Sequence, residues 1–399
     1  MKKLNYKLME NAFSKADLDN GLKVIKSKQL TMSKFTTKFE KIFAKKIGAK
    51  YALMVNSGSS ANLLAVRAAF NPLRKIRFKL GDEAIIPSLL WSTSLWPLVQ
   101  SGLKPVFVDI DTKTLNLDIN LLKKKITNKT KVIMAIHVLG NSTQIQELKK
   151  ICDRKKIILI EDTCEALGSK FKNKYLGTFG DFGTYSFYYS HHITCGEGGM
   201  IVCNNLNDYK ILRSLRSHGW DRNPQNRKKK EPMGFNFVNE GFNLRPTDIV
   251  ASIAINQFKR FQKMNFIKNK NRSKIIKSLV SSKKWENQFS FIEKGDFVNP
   301  SWFGLPIIIS KKFVERKNKF LKFLNKKGIE TRPILSGNFL KQPSVKLFKL
   351  NKYNEKFKNA QYVEDRGFFI GLHSTEITQN QLDFLKDNLL KISSDIFIN

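Results

Sequence analysis

Between Lys50 and Asn205 short apolar runs alternate with helical stretches, and this alternation restricts the possible folds more than any other feature of the chain. Tyr51-Ala52-Leu53-Met54-Val55 is apolar throughout, as befits a strand covered on both faces. Runs at Ala84 to Pro87, Pro105 to Asp109, Val132 to Ile136 and Ile157 to Ile160 repeat it, with helices predicted at Ser59 to Phe70 and Thr143 to Cys152. Parallel strands need such helical crossovers, so the pattern predicts an α/β fold around a largely parallel sheet. After Gly180 it changes to short strands, Gly183 to Tyr189 and Met200 to Cys203, around a glycine-rich turn. From about Asn256 it shifts again. A helix from Val250 to Asn265, a strand from Trp302 to Ile309, a helix from Phe313 to Lys327 and a strand from Glu330 to Leu335 predict a smaller α+β unit. The expected division is a large domain at 1–255, including the N-terminal segment, and a small one at 256–399.

Composition narrows the function classes. With 41% hydrophobic and 26% charged residues the chain is globular, not disordered or fibrous. No run of eighteen apolar residues occurs, and the N-terminal stretch meets polar and acidic residues before any apolar core of signal-peptide length. The four cysteines, at 152, 164, 195 and 203, show neither CxxC nor another metal spacing. A cytoplasmic protein with no metal and no membrane contact is the expectation. The net charge of +38 raises nucleic acid as a partner, but lysines (57 of the 71 basic residues) are spread from Lys2 to Lys391. Readers of bases and clamps on phosphate rely on the arginine fork, and the densest run, Arg227-Lys228-Lys229-Lys230, sits in a polar stretch that reads as a solvated loop. No nucleic-acid role is expected.

Three segments carry chemistry. Asn56-Ser57-Gly58-Ser59-Ser60-Ala61-Asn62 joins a strand to a helix, and its small residues and free helix-start amides suit a phosphate, although a Ser/Gly turn that merely caps the helix has the same sequence. Ile160-Glu161-Asp162-Thr163-Cys164-Glu165 lies at the carboxyl edge of the sheet, where such sheets bind ligands. An Asp there can pair with the protonated ring nitrogen of pyridoxal phosphate, or simply cap the next turn.

The third segment runs from Gly180 to Gly199 and includes Ser186-Phe187-Tyr188-Tyr189-Ser190-His191-His192. It resembles the cofactor-lysine segment of the DegT/DnrJ/StrS family, pyridoxal-phosphate enzymes acting on nucleotide-activated keto sugars. In most of that family the fifth residue after the Ser is the lysine that holds the cofactor covalently; here it is His191. Imidazole has no primary amine for such a bond, but it can move a proton near neutral pH. The likeness extends through Leu30-Thr31-Met32, Leu90-Trp91, 216–223, 241–246, 301–304, 328–333 and 337–339. The histidine form resembles the 3-dehydratase branch. The stretch 221–239 contains no Cys, unlike the iron–sulfur 3-dehydratases, whose clusters need several thiolates.

The resemblance implies an aspartate-aminotransferase-like fold of type I, a homodimer with shared active sites, and pyridoxal or pyridoxamine phosphate as cofactor. It implies a lyase that takes the 3-hydroxyl from a nucleotide-activated 4-keto-6-deoxy sugar, a GDP-linked mannose derivative, with glutamate as amino donor, in deoxysugar synthesis for lipopolysaccharide. A sugar aminotransferase and a non-catalytic cofactor-binding homologue are the alternatives. By the same resemblance Gly58, Ser59 and Ser186 hold the cofactor phosphate, with Asn243 reaching it from the neighbouring subunit. Trp91 stacks on the ring, Asp162 pairs with its nitrogen, Glu165 bonds near its hydroxyl and His191 moves the proton. Thr31, Met32, Ser33, Lys34, His218, Arg222, Arg245 and Glu330 are implied to meet the substrate. Trp302 reads as core, and His192 as structural.

Overall fold

The computed structural model describes residues 5–10, 12–74, 78–221, 235–351 and 355–397. Arg222 and the basic run 227–230 lie outside them.

The apolar runs form a seven-stranded sheet: β1 (Tyr51–Val55), β2 (Glu83–Pro87), β3 (Lys104–Val108), β4 (Thr130–Ile136), β5 (Ile158–Asp162), β8 (Phe182–Ser186) and β9 (Gly199–Cys203). Their order is β1-β9-β8-β5-β4-β2-β3. The pairs from β8 to β3 are parallel, whereas β9 runs antiparallel to both β1 and β8, so the sheet is mixed. The short strands β6 (Lys170–Phe171) and β7 (Lys174–Tyr175) form a small sheet with β11 (Val298–Asn299).

Both faces are covered, as the unbroken apolar runs require. Along β1, Leu53 and Val55 pack into the cluster that holds helix Gly58–Ala69, while Ala52 and Met54 face Phe39, Phe43, Phe258 and Phe261. The Phe258 and Phe261 rings stack at 4.7 Å between centroids, and Phe43 lies 5.0 Å from Phe258. Truncating such a buried ring costs about 3–5 kcal/mol.

A 33-residue helix, Asp248–Val280, carries the chain out of the large unit. Its Asp248 carboxylate accepts from the amides of Ser33, Phe35 and Thr36, fixing the start of a helix at Lys34–Ile47. Beyond it an antiparallel sheet of β10 (Phe289–Phe291), β12 (Gly304–Ile309), β13 (Thr331–Arg332) and β14 (Gly367–Gly371) has the order β10-β12-β14-β13. The expected boundary at 255/256 therefore falls inside one continuous helix. The N-terminal residues pack with the C-terminal unit: Tyr6 bridges Ile329, stacks on His373 at 4.3 Å and donates its hydroxyl to the Gly371 carbonyl at 3.2 Å. The strand predicted from Glu330 to Leu335 is cut to two residues, because Pro333 has no N–H for the ladder and Leu335 takes a positive φ of 48°. Among the described residues no helix is long and apolar enough to cross a membrane, and no cluster of three metal-ligating side chains occurs.

Candidate active site

A cavity of about 530 Å³ opens between the two units at the carboxyl ends of β4 and β5. Ser57, Gly58 and Ser59 line it from the start of helix Gly58–Ala69. Ser57 caps this helix by accepting from the Ser60 amide at 3.1 Å, so the Gly58 and Ser59 amides remain among the first donors that have no intrahelical partner. A Cβ on Gly58 would lie 2.6 Å from the Ser186 Cβ, so only glycine lets the turn and the end of β8 come this close. Gly199 across the strand pair is as constrained: a Cβ there would lie 2.2 Å from the Ser57 carbonyl oxygen.

Asp162, the last residue of β5, is 6% exposed and lines the cavity. Its Oδ2 accepts from Asn62 Nδ2 at 2.8 Å and Ser94 Oγ at 2.7 Å, and its Oδ1 from the Cys164 amide at 3.1 Å. Thr184 Oγ1 in turn donates to Asn62 Oδ1 at 2.6 Å, fixing the amide so that its NH₂ faces the carboxylate. No described ion pair uses Asp162, so a buried, oriented carboxylate is left without a cation. Glu165 accepts from the Leu139 amide at 3.0 Å, an amide presented by a left-handed residue at φ 50°. Burial, with the nearby Asp162 charge, raises the Glu165 carboxyl to about 7 despite that hydrogen bond. Trp91 stands at the cavity 57% exposed.

His191 is half-buried against the cavity wall, its Nδ1 enclosed and without a partner. Its ring meets Phe303 edge-on at 5.1 Å. Dry surroundings first, and the Lys268 ammonium second, hold its pKa down to about 3, so the imidazole is neutral. His192 faces away, Nε2 bonded to the Ser301 carbonyl at 2.8 Å, and Trp302 is 5% exposed in the core.

Several lining groups have no local sequence signature. Asn62 stood in the quoted turn, but its bond to Asp162 spans 100 residues and Ser94's spans 68, which no local motif reveals. His137 closes the cavity beside them. Its Nε2 lies 3.0 Å from Glu161 Oε2, and that carboxylate also accepts from the amides of Gly177, Phe179 and Gly180. An acceptor so engaged makes Nε2 the donor and leaves the buried Nδ1 without a hydrogen-bond partner. Phe303 and Arg332 complete the wall from the C-terminal unit.

Among the described residues, those expected at the substrate are not brought to this cavity within one chain. Thr31 bridges Thr247, Ser217 bridges Asn243, and Arg245 donates to the Asn243 side chain at 2.9 Å, so Thr31 to Lys34, His218, Asn243 and Arg245 gather on a separate surface. It adjoins the phosphate-type turn through the Asn56 amide, which donates to the Leu244 carbonyl at 3.2 Å. Glu330 stands behind the wall, its carboxylate on Arg332 and on the Leu8 amide.

These groups fit pyridoxal phosphate. Helix-start amides beside a glycine cradle suit a phosphate, and an oriented buried carboxylate without a cation suits a pyridinium nitrogen.

The chain is 39% identical over 395 residues to the GDP-4-keto-6-deoxy-D-mannose 3-dehydratase of Escherichia coli O55:H7 (strain CB9615 / EPEC), an alignment covering 97% of this chain and all of that one. The solved E. coli GDP-4-keto-6-deoxy-D-mannose 3-dehydratase with bound hydrated PLP superposes with a TM-score of 0.88 at 37% identity, over 97% of this chain and 100% of that one. A GDP-4-keto-6-deoxymannose 3-dehydratase with a trapped PLP–glutamate geminal diamine gives 0.86 at 38% identity, over 96% and 100%. Residues 12–386 match the model of the DegT/DnrJ/EryC1/StrS aminotransferase family, and with the type I fold and the cavity at its sheet edge this makes the chain a member of that family.

Proposed function

We propose that the chain is a pyridoxal-phosphate-dependent 3-dehydratase acting on GDP-4-keto-6-deoxymannose, with glutamate as amino donor. One observation carries the reading: His191 occupies the cavity wall where an aminotransferase needs its lysine, and no lysine lines the cavity among the described residues. The relatives named for this reaction, one of them trapped with PLP and glutamate, support the substrate and the donor.

The cofactor, when bound, supplies an amine and an electron sink. The protein's part is to bind, orient and move protons. The Gly58 and Ser59 amides and the Ser186 hydroxyl would hold the phosphate, Asp162 would pair with a protonated ring nitrogen, and Trp91 would lie against the ring. Glu165, with its pKa near neutrality, can offer a proton to the ring oxygen. His191, neutral on the cavity wall, would take the proton whose loss expels the 3-hydroxyl. Anionic groups bound in the cavity favour the imidazolium and bring the base into its useful range. No lysine lines the cavity among the described residues, so an aminated product would leave and be hydrolysed by water to the ketone and ammonia. Thr31 to Lys34, His218, Arg222, Asn243 and Arg245 would serve the site of a second copy of the chain.

Incubation with pyridoxal phosphate, glutamate and a panel of 4-keto-6-deoxy sugar nucleotides tests the reading by mass spectrometry. The expected product is the GDP sugar lighter by one oxygen atom, with one ammonia and one 2-oxoglutarate per turnover. A 4-amino sugar as sole product would make the chain an aminotransferase.

A further inference from the structure

The proposed reaction sends two different anions into one cavity, a dicarboxylate amino acid and a sugar nucleotide, yet the lining is acidic. Asp162, Glu165 and Glu197 carry carboxyl groups, and Arg332 is the one permanently cationic side chain among the described lining residues. Arg332 ends β13 opposite Phe369 of β14, and both residues line the cavity. Its guanidinium is held from behind: Nη2 lies 2.7 Å from Glu330 Oε1, while Glu330 Oε2 accepts from the amide of Leu8, itself a wall residue, at 3.0 Å. Pro333 follows directly and stiffens the backbone at this point. Nη1 also donates to the Thr331 carbonyl at 3.4 Å, and with the side chain 55% exposed the N–H groups left by these two bonds are open to a ligand.

We propose that Arg332 is the donor-binding residue of the cavity, taking a carboxylate of glutamate on the guanidinium edge that Glu330 leaves free. This rests on the function proposed above. Charge selects the carboxylate over the diphosphate. With Glu330 bound, the Arg332 pair is locally neutral, which matches one carboxylate in a forked contact but does little to offset the several negative charges of a diphosphate. Glu330 thereby acts as a positioning residue, restricting the fork to one orientation and linking it to the N-terminal segment through Leu8.

The two half-reactions can be measured apart. In the first, enzyme loaded with pyridoxal phosphate receives glutamate, and the cofactor absorbance reports its conversion to the amine form. In the second, enzyme loaded with pyridoxamine phosphate receives the keto sugar nucleotide. Glutarate, a dicarboxylate with no amine, gives a binding constant by calorimetry without turnover. Losing a charge-assisted contact should raise the glutamate KM and the glutarate Kd of Arg332→Gln by about ten- to hundred-fold. Arg332→Lys, which keeps the charge and loses the fork, should fall between. The sugar half-reaction should change much less, within about three-fold. An unchanged glutamate KM in Arg332→Gln would overturn the inference, and so would a loss confined to the sugar half-reaction, which would assign Arg332 to the diphosphate. If the wild type binds glutarate in an Arg332-dependent way but converts no keto sugar, donor binding stands and the dehydratase reading fails.

Discussion

His191→Asn keeps a polar side chain of similar reach but removes the basic nitrogen. Dehydration should fall by about 10²–10⁴-fold, the usual range of a general base, with cofactor affinity little changed because the phosphate and ring-nitrogen contacts lie elsewhere. Single-turnover assays with enzyme preloaded with the amine form, alongside a spectroscopic cofactor titration, separate the two; an unchanged rate would remove His191 from the chemistry. At this scale the sequence was most informative where chemistry attaches to a short motif. Asp162 and His191 could be picked out because a strand end and a fixed spacing from Ser186 locate them. Arg332 could not. It read as one more residue of a strand, and only the fold turns it toward the cavity, with Glu330, itself expected at the substrate, at its back.

The helix Asp248–Val280 runs well past the point where its apolar periodicity ends. Its periodicity was legible only to Asn265, because the buried face then turns polar: Asn265 donates to the Leu167 carbonyl, Asn269 to that of Pro300, and Asn271 to those of His373 and Thr375. Apolar patterning cannot report a face buried through amide contacts. The β-strands of the large sheet, apolar on both faces, had no such ambiguity. Lys268 lies on the same face, 1% exposed, with no carboxylate partner among the described ion pairs, and burial lowers its pKa to about 8. Between pH 8 and 10.5 the unfolded chain holds a proton at Lys268 that the folded one has shed, so this residue makes stability rise with pH across that window. Lys268→Met removes the burial penalty at its source. It should stabilise the protein by about 1–3 kcal/mol at pH 7, and the gain should shrink toward pH 10.5. Urea unfolding at both pH values checks this; a gain equal at both would mean that packing, not charge, is responsible.

Across the whole molecule the buried histidines set the acid limit. Burial lowers the pKa of His191, His192 and His373, so below about pH 6.5 the unfolded chain takes up protons that the native state refuses. Each contributes a loss of up to about 1.4 kcal/mol per pH unit on acidification. Glu165, raised to about 7, opposes one of them between pH 7 and 4.5, because there the folded state binds the extra proton. The urea midpoint should therefore fall between pH 7 and pH 5, and a midpoint that rises would contradict this balance. If two copies share their sites, His191→Asn and Asn243→Ala chains, each inactive alone, should regain about a quarter of wild-type activity when unfolded, mixed and refolded together, since half the dimers then carry one intact site of two. No recovery would argue for sites complete within one chain. The cavity also bears on how the molecule is made. Its wall joins Leu8, which precedes the large sheet in the chain, to Gly371 of β14, which follows it, and a Cβ on Gly371 would lie 2.3 Å from the Leu8 carbonyl. The large sheet can form while translation continues, but the pocket cannot close until β14 has emerged, so a growing chain has no complete site in which to hold its cofactor.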